Sequence, residues 1–598
     1  KLDLSTLNSE ARFWMMRAGS NASSANFLNR YHYMKNGKRG DLFRADLSGM
    51  KLTNRSFNNF DLTGADMSGA DLTGSNFTSA LLIDANFEGA NLTSAILTKA
   101  DLEGANLKKV TAKLANFTSA DLTDVDFNEA DLTDSMMNSA VVLRTNFDKT
   151  NLSSVKANNA IFTDVVATGA DFTYANLTGS TLNNGTFEGA SLLLTHFDNS
   201  KIYNTNFSDA LMQYTTFTSA TISNPNLTGV DLTGANFKSA TMVSPIANKA
   251  NLTSTIFNGT TATNFSASES IFDKASISDS VFTNLFAPES SMNQISISSS
   301  NLSQSNLHKV DLTESDLKGV SLSNAFMVSS KLNNSMIQTV NFTDASLNWV
   351  DFEGAEIIQT DFLRSEMVSA NFANTKVEFV NFDRTNLSNI NFYNADITGA
   401  KLESVIAENM RAEQATLTGI VIIDSNLNGL NARGAKVVGV DFSAQELHSV
   451  IFDGSQSSEW TKWPSSKSFE TIQILFNDSF TEHDCLLSAE KNCKGIDLRY
   501  AGLRENDLKL FDFQWADLSG ANLISADLER AQMNNALLIG AGLEDANLSG
   551  VDLTSAKLMG ADLSGVDLSD SNLHGADLYG ADLSQANLTG ATLTSADL

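Results

Sequence analysis

The sequence predicts an all-β solenoid, a chain wound into square coils of about 20 residues that stack by parallel backbone pairing. Three observations predict it. Every fifth residue from Leu42 to Phe452 is apolar, without insertion or deletion. Over residues 69–92 the residue two before each is small: Ala70, Ser75, Ala80, Ala85 and Ala90 stand ahead of Leu72, Phe77, Leu82, Phe87 and Leu92. Residue choice also repeats at four times that period. A helix repeats near 3.6 and a strand at 2, so neither fits. A chain that turns a corner every five residues does fit. Each side sends one large and one small side chain inward and leaves three residues to water.

The 20-residue period is carried by phenylalanine. Phe57, Phe77, Phe117, Phe197, Phe217, Phe237 and Phe257 fall on one face. Phe87, Phe127, Phe147, Phe187 and Phe207 fall on the opposite face. Beyond residue 262 the faces exchange: Phe282, Phe342, Phe362, Phe382 and Phe442 take one former leucine face, and Phe272, Phe352, Phe372, Phe392 and Phe452 the other. Stacked rings gain contacts beyond area burial. Phe265, Leu285 and Ile295 occupy small-residue positions near the switch, so the sequence expects the least regular coils there.

After Phe452 the register is lost, then returns shifted by one residue from Leu498 to Leu598. This divides the chain into an N-terminal cap (1–41), a long run of about 21 coils (42–457), a non-repeat linker (458–495) and a second run of about 5 coils (496–598). At about 4.8 Å per coil the runs extend roughly 100 Å and roughly 25 Å.

The motifs Ala65-Asp66-Met67, Ala105-Asn106-Leu107, Ala526-Asp527-Leu528 and Ala561-Asp562-Leu563 carry a resemblance. The chain resembles the pentapeptide-repeat family, whose consensus is A-(D/N)-L-x-x. The resemblance implies a right-handed quadrilateral β-helix and says little about function, because that fold serves many roles. It also implies dimerisation or stacking through an end coil.

The non-repeat parts read differently. Ser9 to Gly19 has the makings of a short helix, and the cap as a whole carries a charge of about +4. It covers the first coil, or it docks an acidic partner through Arg12, Trp14, Arg17, Arg30, Tyr31 and Tyr33. In the linker, Phe469, Ile472, Phe476 and Phe480 fall at helical spacing, and Thr481-Glu482-His483-Asp484 resembles a capping box. The expectation is a helical pair that packs across the end of the first run and seats the second. The two cysteines, Cys485 and Cys493, are near enough to pair in an oxidising compartment and match no zinc spacing. The repeat is still in register at the last residue, which makes Leu593, Asp597 and Leu598 a candidate docking end.

Charge and composition bound the partners. A net charge of -29 opposes direct binding to nucleic acid or anionic lipid. No stretch reaches the roughly 18 apolar residues that span a bilayer. No basic-then-apolar leader opens the sequence at Lys1, and cytoplasmic and secreted or envelope-associated settings both stay open. The six histidines, His32, His196, His308, His448, His483 and His574, are scattered, and no phosphate loop or nucleophile motif is present. Aspartate recurs ahead of each core leucine, and such repetition marks scaffold rather than catalysis. The expectation is a non-enzymatic, cofactor-free rod that binds other proteins, or itself end to end. Two alternatives stand beside it: a secreted bacterial effector, and a DNA-mimicking modulator of a type II topoisomerase. The second run carries about -11 over roughly 25 Å, nearer to the one charge per ~1.7 Å of DNA than the first run.

Overall fold

The computed structural model describes residues 40–442, 445, 449–452, 455–458, 461, 475–476, 491–496, 498–499 and 501–597. It is an all-β parallel solenoid, and no helix occurs among the described residues.

Each five-residue side is built the same way. Leu42 O accepts from Ala45 N at 3.0 Å, and Arg44 between them has φ +52°. That is a β-turn with its third residue in the left-handed region. The same position recurs along the chain, and glycine, asparagine and aspartate suit it because they tolerate positive φ. Leu114, Tyr174, Leu194 and Tyr214 adopt it too, at φ between +56° and +60°. The aspartate or asparagine ahead of each core residue has a local task. Asp71 Oδ1 accepts from Thr73 N at 3.2 Å and from Thr73 Oγ1 at 2.7 Å; Asn76 Oδ1 accepts from Thr78 N at 2.9 Å. The acid of the consensus closes the corner.

Coils pair with their neighbours twenty residues on, as in Asp66 with Asn86 and Asn86 with Asn106. The amides bridge coils as well: Asn86 Nδ2 donates to Asp66 Oδ1 and Asn106 Nδ2 to Asn86 Oδ1, both at 3.0 Å. At many small inward positions that hold serine or threonine, the hydroxyl reaches a carbonyl of the preceding coil; at Ser305, Thr375 and Thr385 it reaches one three residues back in its own coil, and Ser135, Ser180, Ser200 and Ser365 have no partner among the described residues. Thr145 Oγ1 donates to Leu122 O at 2.6 Å. A buried hydroxyl is thereby satisfied at no cost to the backbone ladder.

Two compact units divide the chain, Lys1–Ser296 and Ile297–Leu598. In the first, strands Val141–Leu143, Ile161–Thr163, Thr181–Asn183, Lys201–Tyr203, Thr221–Ser223, Thr241–Val243, Thr261–Thr263 and Val281–Thr283 form one parallel sheet along a flat side. Its core stacks phenylalanines: Phe197, Phe217, Phe237 and Phe257 follow one another at 5.3, 4.7 and 5.2 Å between ring centroids, all nearly coplanar. Rings from the opposite face meet them edge-on, as Phe77 and Phe87 do at 6.1 Å.

The stretch around Phe265 keeps its pairing, where the sequence expects irregularity. Thr261–Thr263 pairs in register with both Thr241–Val243 and Val281–Thr283. The reason is volume exchange. Phe265 and Leu285 fill small positions, while Ala262, Ala267 and Ala287 stand at neighbouring large ones, and all five are buried. Cores tolerate swaps that conserve total volume.

In the second unit, strands Asp316–Lys318, Met336–Gln338, Glu356–Ile358, Lys376–Glu378, Asp396–Thr398, Thr416–Thr418 and Lys436–Val438 pair in parallel. Two further strands continue the sheet, Gln456–Ser457 and then Leu475–Phe476. The last corrects the sequence reading of a helical linker. Phe476 belongs to the helical spacing that predicts a helix, yet it lies in a strand. The exposed edge of the strand before it offers unpaired backbone groups, and pairing with them outweighs a weak apolar periodicity. The second helix expected after Thr481 lies outside the described residues.

The second run, from Asn492 to Asp597, repeats the first in its own register, with Leu503, Leu523, Leu543 and Leu563 all fully buried.

Candidate functional site

Within the second unit, the second run lies with one flank against a flank of the first. The contact is built from corners. On the second run, Gly540 and Gly560 occupy the same corner of successive coils, both at φ +63°. Gly520 and Gly580 continue that column on either side, at φ +65° and +70°. Each of the other three corner columns of this run carries side chains, for example Leu510 and Arg530, or Trp515 and Asn535.

The glycine column allows close approach. A Cβ on Gly540 would come within 1.7 Å of Phe379 Cδ1. One on Gly560 would lie 3.4 Å from Gln359 Nε2, and one on Gly542 3.3 Å from Val421 Cγ2. Gln359 and Phe379 are themselves equivalent corners of successive coils, at φ +48° and +53°. The pairs Gln359/Gly560 and Phe379/Gly540 run in opposite directions along the two runs, one coil for one coil. The flanks therefore lie antiparallel, matched by their common 20-residue period.

An ion pair crosses the contact. Lys401 Nζ lies 2.9 Å from Asp562 Oδ2 and 3.1 Å from Glu403 Oε2. Burial alone would lower the Lys401 pKa, but Asp562 and Glu403 outweigh it and hold the ammonium charged well above the ordinary lysine range. Burial opposes the Asp562 carboxylate too; the hydroxyl of Ser564 and the charge of Lys401 keep its pKa low. Two further carboxyls stand in this field. Glu544 is pushed up by burial and by Glu403, Asp562 and Asp545, against the pull of Lys401. Asp383 is pushed up by burial and by Glu403. Glu544 Oε2 and Asp383 Oδ1 are buried with no hydrogen-bond partner among the described residues. A cleft of about 650 Å³ borders the contact, with Asn341, Asp361, Phe379, Tyr579 and Asp582 among its walls. No group of side chains with metal-binding geometry occurs among the described residues.

The residues singled out from the sequence lie elsewhere. Arg12, Trp14, Arg17, Arg30, Tyr31 and Tyr33 are outside the described residues, as are Cys485 and Leu598. Cys493 is fully buried where the second run begins. Leu593 is partly buried with Leu583 and Leu588 in the last described coil, and Asp597 N donates to Ala576 O at 2.9 Å. Sequence reasoning missed Phe379, Lys401 and the glycine column. The column carries a readable signal, glycine at four consecutive equivalent corners. The partners of that column, Phe379 and Gln359, precede it by 161 and 201 residues and share no motif with it.

No helix among the described residues is long and apolar enough to cross a membrane. No curated protein matches the chain in sequence. Among solved structures, HetL, a pentapeptide repeat protein involved in heterocyst differentiation regulation in the cyanobacterium Nostoc, is 25% identical; the match covers 38% of this chain and 93% of HetL, with a TM-score of 0.27. A pentapeptide repeat protein of the Arabidopsis thaliana thylakoid lumen is 28% identical over 22% of this chain and 71% of that one, with a TM-score of 0.12. QnrB1, a plasmid-mediated fluoroquinolone resistance protein, is 12% identical over 37% of this chain and 92% of its own, with a TM-score of 0.19. The family model for pentapeptide repeats matches residues 41–78, 73–108, 115–153, 145–184, 215–243, 295–335, 345–378, 370–406, 516–554 and 556–594. With more than half of its length matched and parallel coils closing every twenty residues, the chain belongs to the pentapeptide-repeat family.

Proposed function

We propose that the protein is a non-enzymatic interaction scaffold whose solenoid flanks dock other protein chains. The observation that supports this is the lateral contact itself: one flank of the first run holds a second solenoid through Phe379 on Gly540 and Lys401 on Asp562. Flat sides of regular period offer the same kind of surface along a solenoid. The abundant aspartates support a scaffold over an enzyme, because Asp71, Asp121 and Asp131 are acceptors for their own corners. The test is a cross-linked pull-down from the native source with partners identified by mass spectrometry. Recovery of assembly or envelope components at flank residues supports the scaffold. Recovery of no protein above background would sink it.

The charge of the second run favours one other reading, a DNA mimic acting on a type II topoisomerase. QnrB1 bears on it only as a relative in fold. Supercoiling by the topoisomerase that stays unchanged in a large molar excess of this protein excludes that reading.

A further inference from the structure

We propose that the flank of the first run between Gln359 and Val421 is a receptor for the second run of another copy of this chain, so that two copies exchange their second runs. The inference rests on the lateral contact and stands whether or not foreign partners dock elsewhere.

Three observations carry it. The contact is specific, since it joins the glycine corners Gly540 and Gly560 to the corners bearing Phe379 and Gln359 and closes on a half-buried ion pair. It is also modular, because each run has its own buried core and its own backbone ladder. The second run therefore keeps its fold when it leaves the flank. Finally, the last described strand of the first run ends at Phe476 and the second run is described from Lys491, so the sequence between them can span up to roughly 50 Å when extended at ~3.3 Å per residue. Exchange of identical elements is a low-cost route to dimers, because every contact made in one copy is remade between two. Concentration then sets the balance, because the contact within one copy competes at an effective concentration of roughly millimolar.

The electrostatics make the receptor side selective. Lys401 faces Asp562 and Glu544 from the second run, and Glu403 and Asp383 from its own. Four carboxyl groups thus surround one ammonium. Turning that ammonium into a carboxylate leaves only like charges facing one another, so Lys401→Glu disables the receptor. On the other side, Gly540→Leu drives a side chain into the Phe379 ring and disables the second run.

The experiment is complementation between two full-length variants, read by light scattering and native mass spectrometry. Lys401→Glu alone and Gly540→Leu alone have no intact pair of surfaces, within a copy or between copies, and each stays monomeric. Mixed, the wild-type second run of the first variant meets the wild-type flank of the other. A one-to-one heterodimer absent from either variant alone is expected, at chain concentrations set by the affinity of the contact itself, because neither variant keeps a contact within its own copy to compete with it. A mixture that stays monomeric overturns the proposal. A second pair, Lys401→Gln with Gly560→Leu, repeats the test, and circular dichroism of each variant shows that its coils are intact. Homodimers of either variant alone in the same yield as the mixed heterodimer would also overturn it, because association would then not need this contact.

Discussion

Replacing Phe217 with alanine should open the solenoid locally and nowhere else. The ring is 2% exposed and lies between Phe197 at 5.3 Å and Phe237 at 4.7 Å, nearly parallel to both. Truncating a buried phenylalanine costs about 3–5 kcal/mol in transfer and cavity terms. Two stacked contacts, worth ~0.5–1.5 kcal/mol each, place this site at the upper end, about 5 kcal/mol. In a solenoid the loss stays with the coil and its nearest neighbours, because each repeat touches only those beside it. A single unfolding free energy is not defined for such an array. The assay is therefore amide hydrogen exchange read peptide by peptide. At ~1.4 kcal/mol per decade, exchange should accelerate by roughly three to four powers of ten around residues 197–237. Peptides around Phe342 and Phe362 should not change. Phe217→Leu keeps most of the burial and loses the stacking, so it should show roughly half the effect. Equal effects of the two variants would refute a contribution from stacking. Uniform acceleration along the whole chain would refute the quasi-one-dimensional picture.

Other outcomes follow from the same structure. Ala105 is 1% exposed while Thr93 is half-exposed, so Ala105→Lys should cost several kcal/mol and Thr93→Lys well under one, measured as local exchange protection. Asp71→Ala removes the acceptor of Thr73 N and Oγ1 and should lower local protection by about 0.5–2 kcal/mol, whereas Asp71→Asn should restore most of it. Docking of the second run should strengthen as pH falls from neutral toward the raised pKa values of Glu544 and Asp383. Their charged forms are disfavoured in the contact, and protonation relieves that penalty. It should then be lost as pH falls further through the lowered pKa of Asp562, and be lost at the alkaline end only above the ordinary lysine range, where Lys401 gives up its proton. The resolved distance between probes on the two runs follows this profile.

The fold was legible because one physical rule writes the whole sequence. A core that admits one large and one small residue per side forces the five-residue pattern, and the identical stacking of coils forces the 20-residue pattern of phenylalanines. Volume exchange around Phe265 was not legible as order, since a large residue in a small position looks like a defect until Ala262 and Ala267 are placed beside it. The strand at Leu475–Phe476 was misread because four apolar residues at helical spacing say nothing about a free sheet edge nearby. The lateral site was the least legible part. Lys401 and Asp562 sit in ordinary repeats, and only folding back brings them within 2.9 Å. The glycine column from Gly520 to Gly580 was visible, but a missing side chain does not name what fills its place.

Zero-length carbodiimide cross-linking of the full chain, followed by peptide mass spectrometry, tests the lateral contact most directly. The reagent joins an amine to a carboxylate only where the two touch. Lys376 and Glu356, 2.8 Å apart within the first run, supply an internal control. A recovered Lys401–Asp562 link is expected alongside the Lys376–Glu356 link. Recovery of the control without Lys401–Asp562 would contradict the docking of the second run on the first, and with it the scaffold reading built on that flank.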